Sequence, residues 1–454
     1  MTLNGQNAEE SRKILVRQIV FEGNKKTTDL RMLREMELHV GDSLKMNQIN
    51  NKLQISKERL INTGLFTDVE ANIFFDEENY NNIKVVIHVE EGLYVIPIPI
   101  IELAARNLNV WWNEHDRDIK FLNLGLNLKL KNLSGNGDEL DLLGQWGFDR
   151  KFIINYTSPF FDKEKNWNFE FKSYLASNKE VSFFTEDGIP SFVRNDNKYL
   201  RHRFESTFST IFRPHYNSYY KLIMGFYYHG IDDELFDSNP EYLSGNTIQR
   251  YSRLAIDYAI ERRNNKYLAT KGYYAHLLLA RNGIVESDNF RSWEIQADAY
   301  YHKQINDNWS WNNGLVFRTF LPTTRKYPYY NLFRMGGEPE YVRGYEYYQV
   351  EGTALAVYKT SVMRKIIDAD IDFGKLMPFL NYKKMDTKIY LSLNLDYGYV
   401  WDQYYKTSEF INREMIGGGL GLNILLYNQL ALIIEASMNQ KNEFGVFFHL
   451  NRTI

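Results

Sequence analysis

Arg343 and Gly344 sit inside PEYVRGYEYY (339–348), a stretch holding four tyrosines and no neighbouring catalytic grouping. A guanidinium among aromatic rings has two ordinary fates, solvation at the surface or a place over a ring face. Elsewhere the residue types exclude most reaction chemistry. The chain has no cysteine, which removes thiol nucleophiles, thiolate metal sites and disulfides together. It contains no G-x-S-x-G, H-E-x-x-H or phosphate-binding loop. Its nine histidines are scattered, and Gly417, Gly418, Gly419 and Gly421 suit the narrow inward face of a strand better than a cofactor cradle. No enzyme activity, cofactor or metal is expected. With a net charge of -3 over 454 residues, no nucleic-acid partner is expected either.

The elements that must position Arg343 are announced by composition. Tyr (33), Phe (29) and Trp (8) make up 15% of the residues, yet mean hydropathy is only -0.46. A transmembrane barrel has this mixture, with a polar lumen and aromatic girdles at its rims. No apolar run approaches the ~20 residues of a membrane helix; YVIPIPII (94–101) is short and carries two prolines. Entry into a membrane would therefore be by strands. The opening MTLNGQNAEESRK, a polar tail over 1–13, lacks the apolar segment of a secretory signal. With the signal peptide absent, an exported chain would be a mature or altered form.

Residues 14–92 read as a separate α/β unit. VRQIVFEGN (16–24) alternates as a strand. TTDLRMLREMEL (27–38) places Leu30, Leu33 and Met36 on one helical face behind a Thr/Asp cap. HVGDSL reads as a turn. A second helix carries Ile49, Leu53, Leu60 and Ile61 and stops at Gly64. The strands FTDVEANIFF (66–75) and IKVVIHVEEG (83–92) close a β-α-α-β-β unit. With its FEGN and NTGLF segments this unit resembles a POTRA domain, the periplasmic module of outer-membrane assembly proteins. Its open sheet edge suits either pairing with an extended client or no role beyond that of a spacer.

From about residue 93 to 454 the period is two. In FLNLGLNLKLK (121–131) five leucines alternate with Asn, Gly and Lys; YLSLNLDYGYV (390–400) and IGGGLGLNI (416–424) alternate as cleanly. About sixteen such runs start near residues 94, 119, 137, 150, 166, 203, 219, 251, 271, 291, 309, 351, 387, 413, 430 and 443. An even number fits a closed antiparallel barrel. The fold class is mainly β, a 16-stranded transmembrane barrel behind one small POTRA-like domain. Connections after even-numbered strands are mostly short, and several after odd ones are long, including 177–202, 230–250 and 321–350. If the front unit is periplasmic, the long set faces outward.

RMGGEPEYVRGYEYY (334–348) resembles the VRGY loop of the BamA and TamA superfamily of outer-membrane assembly and translocation barrels. LNLDYGYVWD (393–402) is similar to its late strand bearing Asp-x-Gly. KNLSGNGDELDL (131–142) with YTSPFF (156–161) matches its early hairpin, and YLATKGYY (267–274) its mid-barrel turn. The resemblance implies that the loop over about 321–350 folds into the lumen and that Arg343 meets an acidic residue on the wall. If Leu393, Leu395 and Tyr397 face lipid, Asn394, Asp396 and Gly398 face inward, which makes Asp396 the expected partner. The arginine fork would engage that carboxylate through two hydrogen bonds, with Gly344 allowing a tight tip and Tyr345 packing beside it.

The same resemblance implies a weak closure between the first and last strands. Pro97 and Pro99, flanking Ile98, remove two amide donors from one edge of the first strand, or else merely stiffen a linker. The last strand is short and carries Phe444, Val446 and Phe448. The expected function is insertion or translocation of outer-membrane polypeptides through that seam; the alternative is a dedicated exporter or passive pore. The expected partners are client polypeptides, the lipid bilayer, and periplasmic or lipoprotein subunits.

Overall fold

A computed structural model describes residues 13–103, 122–162, 166–337, 340–374 and 384–450. Apart from Lys13, the polar tail lies outside the described residues, as does the end of the last run after residue 450. The front unit comprises β1 (Lys13–Glu22), α1 (Asp29–Leu33), β2 (Ser43–Lys45), α2 (Met46–Asn62), β3 (Phe66–Phe75) and β4 (Asn82–Glu91). Its sheet runs β2-β1-β4-β3, with β1 and β4 parallel and the outer pairs antiparallel. Val16, Ile49, Leu53, Leu60, Val85 and Ile87 form its core. Ile49, Leu53 and Leu60 fall on one face of α2 as their spacing requires, and Gly64 follows its end at φ +69°.

Two local expectations change. α1 is only five residues long, so a helical period does not carry through to residue 38. Leu30 is 63% exposed, Leu33 also reaches solvent, and Met32, Met36 and Leu38 fill the core instead. The segment read as a turn, 39–44, runs into β2, whose Ser43–Lys45 pairs with Leu15–Lys13 and supplies partners for that edge.

The barrel sheet has sixteen strands. The first eight are β5 (Val95–Leu103), β6 (Leu122–Lys131), β7 (Glu139–Gly147), β8 (Arg150–Thr157), β9 (Trp167–Asn178), β12 (Arg201–His215), β13 (Ser218–Ile231) and β14 (Ile248–Glu261). The second eight are β15 (Gly272–Asn282), β16 (Ser292–Gln304), β17 (Trp309–Leu321), β20 (Ala354–Asp372), β21 (Lys384–Trp401), β22 (Glu414–Leu426), β23 (Leu430–Asn439) and β24 (Phe444–Leu450). Every strand begins within 3 residues of the start read from alternation. The remaining ribbons, β10 (Glu180–Glu186) with β11 (Ile189–Arg194) and β18 (Phe333–Met335) with β19 (Val350–Gly352), lie within long connections. The fold is thus the mainly β one expected. Among the described residues no helix is long and apolar enough to cross a membrane.

Alternation decides which side chains see lipid. Leu124, Leu126, Leu391, Leu393, Leu395 and Leu420 are exposed on the outer surface, while Asn123, Asn394, Asp396 and Asn423 are buried on the inner one. Inside, Arg253 pairs with Glu294 at 2.7 Å, and His276 lies between Asp257 (3.3 Å) and Asp298 (3.0 Å).

The turns after even-numbered barrel strands meet the front unit. Asn132 Nδ2 donates to Thr27 Oγ1 (2.9 Å), the Thr28 amide donates to the Gly135 carbonyl (2.9 Å), and Gln429 Nε2 donates to the Phe66 carbonyl (2.5 Å). Arg213 reaches the buried Glu35 at 3.3 Å, and Glu35 also pairs with Arg31. Burial alone would raise the Glu35 carboxyl, but Arg213 and Arg31 outweigh it and hold it below the ordinary carboxylate value. Beside these contacts a polar cavity of about 440 Å³ opens between α2 and the barrel turns, lined among others by Lys57, Glu58, Lys365, Asp386 and Lys388. At the opposite end the long connections form an aromatic cluster that includes Tyr242, Phe290, Phe320 and Tyr327.

Candidate functional site: a buried arginine between two carboxylates

The connection between β17 and β20 turns into the lumen. Val342 to Tyr345 make a tight turn, with the Tyr345 amide donating to the Val342 carbonyl (3.0 Å) and Gly344 at φ +84°. A left-handed residue at the third turn position is what a type II turn requires, and glycine takes it without strain. The turn lies flat on the wall because the wall has no side chains there. A Cβ at Gly417 would stand 1.8 Å from the Arg343 carbonyl oxygen, and one at Gly398 would stand 2.3 Å from Val342 Cγ2. Tyr345 is buried beside it, edge-on to Phe410 at 5.5 Å.

Arg343 is 3% exposed. Its Nη1 donates to Asp396 Oδ1 (2.6 Å), and its backbone amide donates to Asp396 Oδ2 (3.1 Å). Its Nε donates to Glu435 Oε1 at 2.6 Å. The expected contact with Asp396 is present, but the fork is not closed on one carboxylate. It is divided between Asp396 on β21 and Glu435 on β23, two strands apart in the sheet. Glu435 was missed, although a signal existed: in LALIIEASMN it is the lone charge on the inward set Ala431, Ile433, Glu435, Ser437 and Asn439.

Other groups complete the site. Lys359 on β20 lies opposite Asp396 in the ladder, is also buried, and places its ammonium 3.1 Å from the centroid of the Tyr341 ring. The cation over a ring is thus Lys359, not Arg343. His449 on β24 stacks on the same ring at 5.1 Å, and its Nε2 is 3.2 Å from Glu435 Oε2. The loop has a second anchor, Glu340 to Arg318 Nε at 2.8 Å, with Arg318 Nη1 bound to Asp298 at 2.8 Å. Asn439 Nδ2 holds the Gly344 carbonyl at 2.9 Å. Such a network adds little net stability, because desolvation of each ion offsets its attraction, but it fixes one position of the loop.

The Omp85 superfamily domain matches residues 132–432, most of the chain. The chain belongs to the Omp85 superfamily. A POTRA match, described as a surface antigen variable number repeat, covers residues 14–92. Among solved structures, BamA from Haemophilus ducreyi lacking POTRA domains 1–3 has a similar fold, with a TM-score of 0.52, 15% identity, and coverage of 96% of this chain and 84% of that one. CdiB from Escherichia coli gives a TM-score of 0.54 at 12% identity, covering 96% of this chain and 76% of that one. Omp85 membership makes this an outer-membrane translocation or assembly protein with a periplasmic POTRA unit over residues 14–92.

In this Omp85 barrel, β5 and β24 stand at the two ends of the sheet order, and among the described residues no ladder joins them. Pro97 and Pro99 lie within β5, opposite Leu128 and Leu126 of β6. A proline is accommodated in a ladder when its nitrogen faces away from the partner, so both nitrogens are directed at the end facing β24. Ile98 is exposed, as are Phe444, Val446 and Phe448, which form the lipid-facing set of β24.

Proposed function

We infer that the chain inserts or translocates outer-membrane polypeptides through the seam between β5 and β24, without covalent chemistry. The observation that carries this reading is the sheet order ending at β5 and β24, with two prolines stripping donors from the facing edge of β5. Strand edges left without partners are templates for an incoming strand. The unit over 14–92 receives the client on the periplasmic side, and the barrel over 93–454 passes it on. The Arg343 contacts, with Gly344, Tyr345, Asp396 and Gly398, lock the inward loop against the wall next to that seam.

A passive pore gives no role to a loop held against the inner wall by buried charges. Cysteines introduced on β5 and β24 and oxidised to a cross-link should stop client insertion into liposomes, with recovery on reduction. Undiminished insertion by the locked protein would reject the lateral route.

A further inference from the structure

We propose that Glu346, Glu435 and His449 form a binding site for a divalent transition-metal ion, with zinc the best match to the donors. The three side chains come from the inward loop, β23 and β24, and each offers one ligand atom, all within 4.8 Å of one another. Two carboxylates and an imidazole are a donor set for zinc; the imidazole nitrogen argues against calcium and magnesium, which take oxygen ligands.

Two observations beyond proximity point to a cation. Both carboxylate oxygens of Glu346 expose less than 1 Å² and have no hydrogen-bond partner among the described residues. Glu435 gives Oε1 to Arg343, leaving Oε2 buried, without a hydrogen bond, and turned toward His449 Nε2 at 3.2 Å. Three carboxylates, Asp396, Glu435 and Glu346, share this space with Arg343, Lys359 and the imidazole of His449. Burial penalises charged carboxylates unless a proton or a metal ion neutralises them. Binding requires the donors to close to ~2.0–2.2 Å from the ion, a contraction within reach of the two flexible Glu side chains. The bound ion would tie the last strand to the loop that carries Arg343.

The inference rests on this cluster and not on the transport reading, so it is tested by binding alone. The full chain, purified in detergent and stripped with EDTA, should bind Zn²⁺ with 1:1 stoichiometry by calorimetry and show no comparable heat with Mg²⁺. His449→Ala and Glu346→Gln should each weaken Zn²⁺ binding at least about tenfold, whereas His39→Ala, at an exposed position of the front unit, should not. Co²⁺ added to the unmodified protein should give the visible absorption of a low-coordinate nitrogen and oxygen site, a readout independent of whether any variant folds. Absence of 1:1 Zn²⁺ binding, or binding unchanged in both His449→Ala and Glu346→Gln, would overturn the proposal.

Discussion

Replacing Arg343 by alanine removes one cation from between two carboxylates whose side chains are 0% and 2% exposed, leaving Lys359 as the neighbouring positive charge. Breaking a buried pair in this way costs about 3–5 kcal/mol, most of it from the charge left behind. Asp396→Asn is gentler. Arg343 keeps Glu435, and the amide oxygen can still accept from Nη1, so the loss is that of a charge-assisted hydrogen bond, about 1.5–3 kcal/mol. Glu435→Gln should fall in the same range. These numbers make a sharp statement about the double variant: Arg343→Ala with Asp396→Asn should be more stable than Arg343→Ala alone, because one of the stranded charges is gone. Urea unfolding of the barrel in lipid vesicles, followed by tryptophan fluorescence, measures all four. Arg343→Ala should retain a folded barrel yet fail to rescue cells depleted of the protein. A double variant as unstable as the sum of its parts, or an Arg343→Ala protein within about 0.5 kcal/mol of the parent, would refute the buried-pair argument; full rescue by that protein would refute the role given to the loop.

Gly417→Val should displace the VRGY turn, since even a Cβ there meets the Arg343 carbonyl; the check is faster proteolysis of the loop with the barrel intact. Glu340→Gln should loosen the second anchor by about 1–3 kcal/mol, read as increased hydrogen exchange over 340–348 while the strands stay protected. The pH dependence belongs to the front unit. The Glu35 carboxyl is depressed in the folded state, so its contribution is fully present above the unfolded value of about 4.3 and is lost as pH falls through the folded value. Docking of the unit on the turns, monitored by cross-linking α1 to the β12–β13 turn, should therefore hold at neutral pH and release only in strong acid. Glu35→Gln should remove that acid transition, and an unchanged pH profile in this variant would count against it.

The strands were legible because each must satisfy two solvents at once. Lipid outside and polar space inside impose a strict period of two, and Leu393, Asn394, Leu395 and Asp396 show it without any tertiary information. Asp396 could be read for the same reason. Glu435 follows the identical rule, but its strand also turns Ala431 and Ile433 inward, so the charge there did not stand out as part of a polar face. The exchange of roles between Arg343 and Lys359 could not be read, because the ring that takes the ammonium, Tyr341, comes from a loop whose path only the folded barrel defines. α1 failed for a related reason: a helix shorter than two turns has no lasting face, so the spacing of Leu30 and Leu33 set no buried stripe and Met32 is the residue it buries.

The bonds between the front unit and the barrel turns govern how the two can move. Asn132 on Thr27, Gln429 on the Phe66 carbonyl and Arg213 on Glu35 are anchored at turns far apart in the sequence, so a swing of the front unit about any one of them strains the others, and the two parts travel as one body until all three have let go.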